Sequence, residues 1–277
     1  RQIGIENFGD KNKIDVEGCV ISQACEILSS FYDDHLEIKI SDISMFYQLL
    51  NHLKIDTHLF NRVRRLYWRG LSATEIKDSI KKIINTRFDA KPNLDLIMEY
   101  KNNNLSSTAL IQKLTGSDDL SIFSGRQPDD IVKSYIDKSE LINGTVINNT
   151  VIEQITEFLS IKGDIPRVIQ LLDNFQKKYH IDFAEGIENL ENRVKILKKN
   201  QIAKDMIEFN ATLSRKVEYY TGLIFEIRTK NKSSEPIAIG GRYDKIFEEL
   251  GSADPIPAVG CSIYVDRLLF DEGNNES

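Results

Sequence analysis

Two short stretches carry side chains whose types and spacing suit recognition of a small polar molecule. Leu213-Ser214-Arg215-Lys216-Val217-Glu218-Tyr219-Tyr220-Thr221-Gly222-Leu223-Ile224-Phe225-Glu226 gathers a guanidinium, carboxylates and two phenols. Gly240-Gly241-Arg242-Tyr243-Asp244 adds a glycine pair beside a third tyrosine. Near the other end, Gln2, Gly4 and Glu6 fall on one strand face, so an amide and a carboxylate aim the same way. Such groups donate, accept and pair charge. The chain shows no covalent nucleophile, no metal-ligand spacing and no glycine-rich phosphate loop of the Walker or Rossmann pattern. Plainer readings stand beside this one: the glycine pair as a turn, the tyrosines as a core pair with hydroxyls at the rim, Gln2 and Glu6 as an exposed strand face, and Arg215 paired with Glu218 or Glu226.

The elements that must hold these groups are legible from periodicity. Leu223, Phe225 and Ile227 alternate with Ile224, Glu226 and Arg228, and Ile237 and Ile239 resume the alternation after the polar run Asn231-Lys232-Ser233-Ser234, which predicts a hairpin leading into Gly240-Gly241. A helix with Ile246, Phe247 and Leu250 on its apolar side should follow, closed by Gly251. Val20, Ile21, Ala24, Ile27, Leu28 and Phe31 repeat at helical spacing, and Leu36, Ile38 and Ile40 alternate as a strand.

From Asp42 onward the pattern is nearly all helical. Met45, Phe46, Leu49, Leu50 and Leu53 make one stripe; Ser72 and Glu75 form a capping box ahead of Ile76, Ile80, Ile83 and Ile84; Pro128 with Asp129 and Asp130 marks a helix start. Three further stripes run through Ile152 to Leu159, Val168 to Phe175 and Ile187 to Leu197, and Met206, Ile207 and Phe209 return the chain to strand. Arg64, Arg65, Trp68 and Arg69 read as a solvated face with one anchored Trp, with a phosphate contact as the alternative.

With 277 residues the chain can bury a sizeable core. A formal net charge of −6 and a pI near 5.4 disfavour a broad nucleic-acid surface, which needs positive charge. Three cysteines, Cys19, Cys25 and Cys261, are too few for a disulfide framework or zinc site, and the first two sit in a helical pattern as buried residues. No apolar run reaches membrane-spanning length and no signal peptide is visible, so the expected location is cytoplasmic.

Four segments, in order, resemble histidyl-tRNA synthetases, which are class II aminoacyl-tRNA synthetases. Arg1-Gln2-Ile3-Gly4-Ile5-Glu6-Asn7-Phe8-Gly9 resembles the second strand of motif 2; the two stretches above resemble the histidine-specific segments; and Pro257-Ala258-Val259-Gly260-Cys261-Ser262-Ile263-Tyr264-Val265-Asp266-Arg267-Leu268 resembles motif 3, in which glycines leave room for ATP and an arginine lies on adenine. Gly260 and Arg267 match. Tyr264 stands where that pattern has a glycine, which marks the ATP site as degenerate, and Arg215-Lys216-Val217-Glu218 replaces arginine-glycine-leucine-aspartate.

The combination resembles the regulatory subunit of ATP phosphoribosyltransferase, a paralogue of the synthetase without the anticodon domain. The resemblance implies an α+β fold: an antiparallel sheet flanked by helices, with the core in residues 1–43 and 201–270, a helical insertion at 44–200 and a tail at 271–277. It further implies that motif 1 and the first half of motif 2 lie upstream of Arg1. For the site it implies L-histidine, with Gln2 on the ammonium, Arg215 on the carboxylate, Glu6 and Tyr220 on the imidazole, and Tyr219 and Tyr243 as walls. The implied role is regulatory, with no catalysis and no cofactor: assembly with the short catalytic subunit, as a self-dimer within a hetero-octamer, and feedback control by L-histidine of the first step of histidine biosynthesis. Two rival readings are a histidyl-tRNA synthetase fragment and a pseudo-synthetase module that senses tRNA.

Overall fold

A computed structural model describes residues 1–32, 36–55, 57–89, 94–102, 104–116, 127–143, 149–214, 218–229 and 235–269. Strand β1 (Gln2–Phe8) leads into α1 (Lys13–Ser29), β2 (Leu36–Asp42) and α2 (Ile43–His52). A helical stretch follows: α3 (Thr57–Trp68), α4 (Ala73–Asp89), α5 (Leu94–Lys101), α6 (Ser107–Thr115), α7 (Pro128–Asn143) and α8 (Asn149–Leu159). Then come β3 (Lys162–Asp164), α9 (Ile165–Tyr179), α10 (Ala184–Lys199), β4 (Ile207–Asn210), β5 (Leu223–Thr229), β6 (Ala238–Arg242), α11 (Ile246–Glu249), β7 (Ala258–Tyr264) and α12 (Val265–Leu269).

The strands form one sheet in the order β1-β7-β6-β5-β2-β4-β3. All neighbours are antiparallel except β2 and β4, which run parallel because the chain reaches β4 only after the helical excursion. The β5–β6 hairpin forms as its alternation predicts, with Phe225 opposite Gly240 and Ile224 opposite Gly241. Strand β3 is too short to show an alternation in the sequence: its three residues, Lys162–Asp164, pair with β4 at the sheet edge.

Helix α1 buries Val16, Val20, Ile21, Ala24 and Leu28, the stripe expected of an amphipathic helix. Its Gly18 leaves space for Ile196 of α10, whose side chain an added Cβ would strike. Caps begin the helices: Asp42 accepts from the Ser44 N–H at 3.0 Å, Asp164 from the Arg167 N–H at 3.0 Å, and Ser72 and Glu75 make the reciprocal box. The side chains of Ile83 and Ile84 lie outside the described residues. Leu110, Ile111 and Val132 of α6 and α7 form a small cluster of their own, while α2, α8, α9 and α10 share the main core with the sheet.

Three burial expectations are corrected. Cys19 is exposed while Cys25 is buried, because six positions carry a helix through 600° and turn the two to different sides. Phe31 is 56% exposed, standing past the end of α1 where helical spacing no longer holds. Leu250 is 77% exposed, since α11 spans only four residues and ends before Leu250 turns inward. Trp68 is buried and its Nε1 donates to the Tyr47 hydroxyl at 3.1 Å, whereas Arg65 and Arg69 face solvent. No helix among the described residues is long and apolar enough to cross a membrane.

Candidate functional site

The sheet brings the ends of the chain together. In the ladder of β1, β7 and β6, Glu6 lies opposite Gly260 and Gly260 opposite Gly241, so the three stand in one row across adjacent strands. The two glycines clear space beside the carboxylate. A Cβ on Gly260 would run into the Glu6 carboxyl and come within 2.8 Å of the Tyr243 hydroxyl; one on Gly241 would meet the Leu223 carbonyl oxygen at 2.5 Å and the Tyr220 ring at 2.7 Å. These glycines serve close approach, and Gly240 and Gly241 are not among the residues with positive φ.

Above this row lies a cavity of about 360 Å³. Glu6, Tyr219, Tyr220, Tyr243 and Ser262 supply polar groups, and Phe8, Ile239, Ile246, Phe247 and Leu250 supply apolar surface. The Tyr243 hydroxyl donates to Glu6. The three tyrosine rings converge: centroids lie 4.6 Å apart for Tyr219 and Tyr220, 5.6 Å for Tyr219 and Tyr243, and 6.5 Å for Tyr220 and Tyr243. Burial, then the contact with Tyr219, pushes the Tyr220 phenol above its ordinary value; burial, then Glu6, does the same for Tyr243. Both therefore stay protonated near neutrality and act as donors. A carboxylate, phenol donors and aromatic faces around one small cavity suit a planar, nitrogen-bearing ring, above all a cationic one.

Of the residues singled out by sequence, the structure brings Glu6, Tyr219, Tyr220, Tyr243 and Gly260 together at this cavity. Gln2 shares the Glu6 face, but it stands four residues along β1, opposite Tyr264, and does not line the cavity. Four strand residues span about 13 Å, so a molecule seated against Glu6 reaches Gln2 only by extending along the strand face beyond the cavity. Arg215 lies outside the described residues. The partners weighed for it are engaged by other cations: Glu218 lies 3.6 Å from Arg64, and buried Glu226 pairs with Arg228 at 2.6 Å. At the Gln2 end of the face, the Arg267 guanidinium stacks over the Tyr264 ring at 4.1 Å. It also donates to the Pro236 carbonyl and lies 3.3 Å from Glu235. The arginine that the motif 3 resemblance would lay on adenine lies on Tyr264 instead.

Sequence reasoning missed the polar network behind the tyrosines. Glu17 of α1, Asp42 at the end of β2, Arg193 of α10 and Arg242 of β6 are all at most 5% exposed. Arg193 donates to Glu17 at 2.5 Å and to Asp42 at 2.7 Å, and Arg242 donates to Glu17, to Asp244 at 2.8 Å and to the Lys13 carbonyl at 3.0 Å. Burial opposes ionisation of Asp244, yet the Ala258 N–H, Arg242 and Lys13 together hold its carboxyl below the usual range. A signal existed: Arg193 interrupts the apolar stripe of Leu190, Val194 and Leu197, and Glu17 the stripe of Val16, Val20 and Ile21. A charge on a core face implies a buried partner.

No group of His, Cys, Asp and Glu among the described residues is arranged to hold a metal ion. Burial pushes the Cys25 and Cys261 thiols up to about 12, which leaves both unreactive at neutral pH.

Comparison with known proteins shows what the chain as a whole is similar to. The histidyl-tRNA synthetase family model matches residues 132–268. An ATP phosphoribosyltransferase regulatory subunit from Mesorhizobium japonicum is 25% identical over 271 residues, covering 96% of this chain and 71% of its own length. One from Brucella anthropi is 27% identical over 280 residues, covering 99% and 73%. Among solved structures, an ATP phosphoribosyltransferase regulatory subunit/histidyl-tRNA synthetase from Bacillus halodurans superposes with a TM-score of 0.58 at 17% identity, covering 97% of this chain and 52% of its own. A histidyl-tRNA synthetase from a Nostoc species gives 0.58 at 17%, covering 98% and 50%. The chain thus spans about half the length of those two solved chains. Along nearly its whole length the chain is similar in sequence to proteins named ATP phosphoribosyltransferase regulatory subunit, and its sheet with flanking helices has a histidyl-tRNA synthetase-like fold.

Proposed function

We propose that the tyrosine cavity binds L-histidine and that the chain is a regulatory, non-catalytic subunit, assembling with the short catalytic subunit of ATP phosphoribosyltransferase and conveying feedback inhibition to it. The observation that carries this reading is the Glu6–Tyr243 pair beneath three converging tyrosine rings. The carboxylate accepts from an imidazole N–H, the Tyr220 hydroxyl is the second polar contact to the ring, and the aromatic faces favour the imidazolium form. Arg215 and Gln2 are the proposed contacts to the amino acid's carboxylate and ammonium. Tyr264, stacked under Arg267, supports a regulatory role, because a nucleotide base would compete with that ring for the guanidinium. The relatives named above carry the regulatory-subunit name, which supports the partnership with a catalytic subunit.

The deciding experiment is a calorimetric titration of the full-length protein with L-histidine, with ATP titrated in parallel. Heat with L-histidine and none with ATP is the expected outcome. Heat with both would return the synthetase reading to first place, and silence with L-histidine would remove the effector role.

A further inference from the structure

The two tyrosine-bearing segments of the cavity are joined behind it. The Thr221 N–H donates to the Arg242 carbonyl at 2.8 Å, and the Asp244 N–H donates to the Thr221 hydroxyl at 3.1 Å. Thr221 follows Tyr220, and Arg242 and Asp244 flank Tyr243, so these bonds set the spacing of the two phenols. Gly222 has no Cβ, and one would sit 3.4 Å from the Arg242 Cδ, so the loop packs directly on the arginine's stem. The Gly222 carbonyl in turn accepts from the Ile43 N–H at 3.0 Å, at the first residue of α2.

Arg242 therefore ties the two tyrosine segments together, and its guanidinium is held by Glu17, Asp244 and the Lys13 carbonyl. Glu17 is shared with Arg193, which also holds Asp42, the residue that caps α2. The contacts close a ring from Tyr220 through Gly222, Ile43, Asp42, Arg193, Glu17 and Arg242 to Tyr243. Every charged member of that ring is buried, so none can trade its partner for water at low cost. Helices α2 and α10 touch none of the cavity, yet each anchors one end of the ring.

We propose that Arg242, Glu17 and Arg193 are positioning residues of the tyrosine cavity, and that through them occupancy of the cavity is coupled to the packing of α10 and the start of α2. A ligand that draws Tyr220 and Tyr243 together stabilises the Thr221–Arg242 contact, and Arg242 then holds Glu17 and Arg193 in their observed arrangement. By reciprocity, a partner on α10 whose affinity is changed by the cavity's ligand changes the affinity for that ligand by the same factor. The ligand half rests on the reading of the cavity as an L-histidine site; the coupling between cavity and α10 does not.

The test is hydrogen exchange on the full chain, with and without L-histidine, for the wild type and Arg193→Leu. Without ligand, Arg193→Leu should speed exchange of the amides in residues 218–222 and 238–242 about ten-fold more than those of α8 and α9, a coupling of ordinary allosteric size. A merely structural loss would speed all four regions alike and overturn the proposal. With L-histidine, the wild type should slow in β6 and also in α10, and the variant should slow in β6 alone. Slowing in β6 without slowing in α10 of the wild type would overturn the coupling. Absence of any ligand effect would instead remove the L-histidine reading, and the ligand-free comparison would still decide the coupling. Should Arg193→Leu fail to fold, Arg193→Lys carries the same comparison: it keeps the charge but loses the two-pronged contact, and it should give a smaller change of the same pattern.

Discussion

Two ends of one strand face behave in opposite ways. On β7, Gly260 and Tyr264 point to the same side, opposite Glu6 and Gln2 of β1 respectively. At the Gly260 end the missing side chain leaves the Glu6 carboxylate and three tyrosines around open space. At the Tyr264 end the protein supplies its own aromatic ring and covers it with Arg267. Both positions lie in the ladder of β1 and β7, and the open and the filled end differ in the side chain each carries.

That contrast can be attacked directly. Gly260→Ala drives a methyl group into the Glu6 carboxyl and against the Tyr243 hydroxyl, and it should abolish L-histidine binding in calorimetry. The same overpacking should cost about 1–3 kcal/mol, read as a lower thermal midpoint. Glu6→Gln keeps the shape and removes the charge; affinity for L-histidine should fall about 10- to 100-fold with little change in melting. An unchanged affinity would mean the carboxylate does not face the ligand.

Tyr264→Gly tests the filled end. It removes the ring that Arg267 covers, and a weak ATP heat should emerge where the wild type gives none, while L-histidine affinity stays within about three-fold, since Glu6 and the three tyrosines of the cavity are untouched. If L-histidine binding collapses as well, the two ends are one site.

The smallest effect concerns pH. Tyr220 and Tyr243 have raised folded-state values, so the folded chain keeps protons that the unfolded chain releases near pH 10. Their contribution is whole below about pH 10 and is lost as pH rises further. Asp244 has the opposite sign: its lowered value contributes above about pH 4 and fades as pH falls below it. Denaturant midpoints measured across pH should decline at both extremes, with phenolate absorbance of the two tyrosines appearing late.

Much of the sheet was legible because alternation is a local property. The hairpin of β5 and β6, the strand at Leu36 and the common face of Gln2 and Glu6 all follow from a period of two. The helix cap at Ser72 is local too. What a period cannot tell is where along a face the cavity falls, and Gln2 is the instance: it is on the right side of β1, yet opposite Tyr264 rather than Gly260. Leu250 and Cys19 failed for a related reason, since helical spacing predicts burial only while the helix continues and only for the side that meets a neighbour.

The sequence by itself determined the chemical inventory: the tyrosines, the carboxylate, the glycines that keep a row clear and the ring at position 264. Only the tertiary structure decided which of them meet. Glu6 and Tyr243 are 237 residues apart, and their contact depends on the pairing of β1 with β7. Arg193 reaches Glu17 across 176 residues because α10 packs on α1 at Gly18. Local preferences set period and caps over a few residues, whereas strand register and the partners of buried charges are set by non-local packing, which can leave no carboxylate or guanidinium in the core without its match.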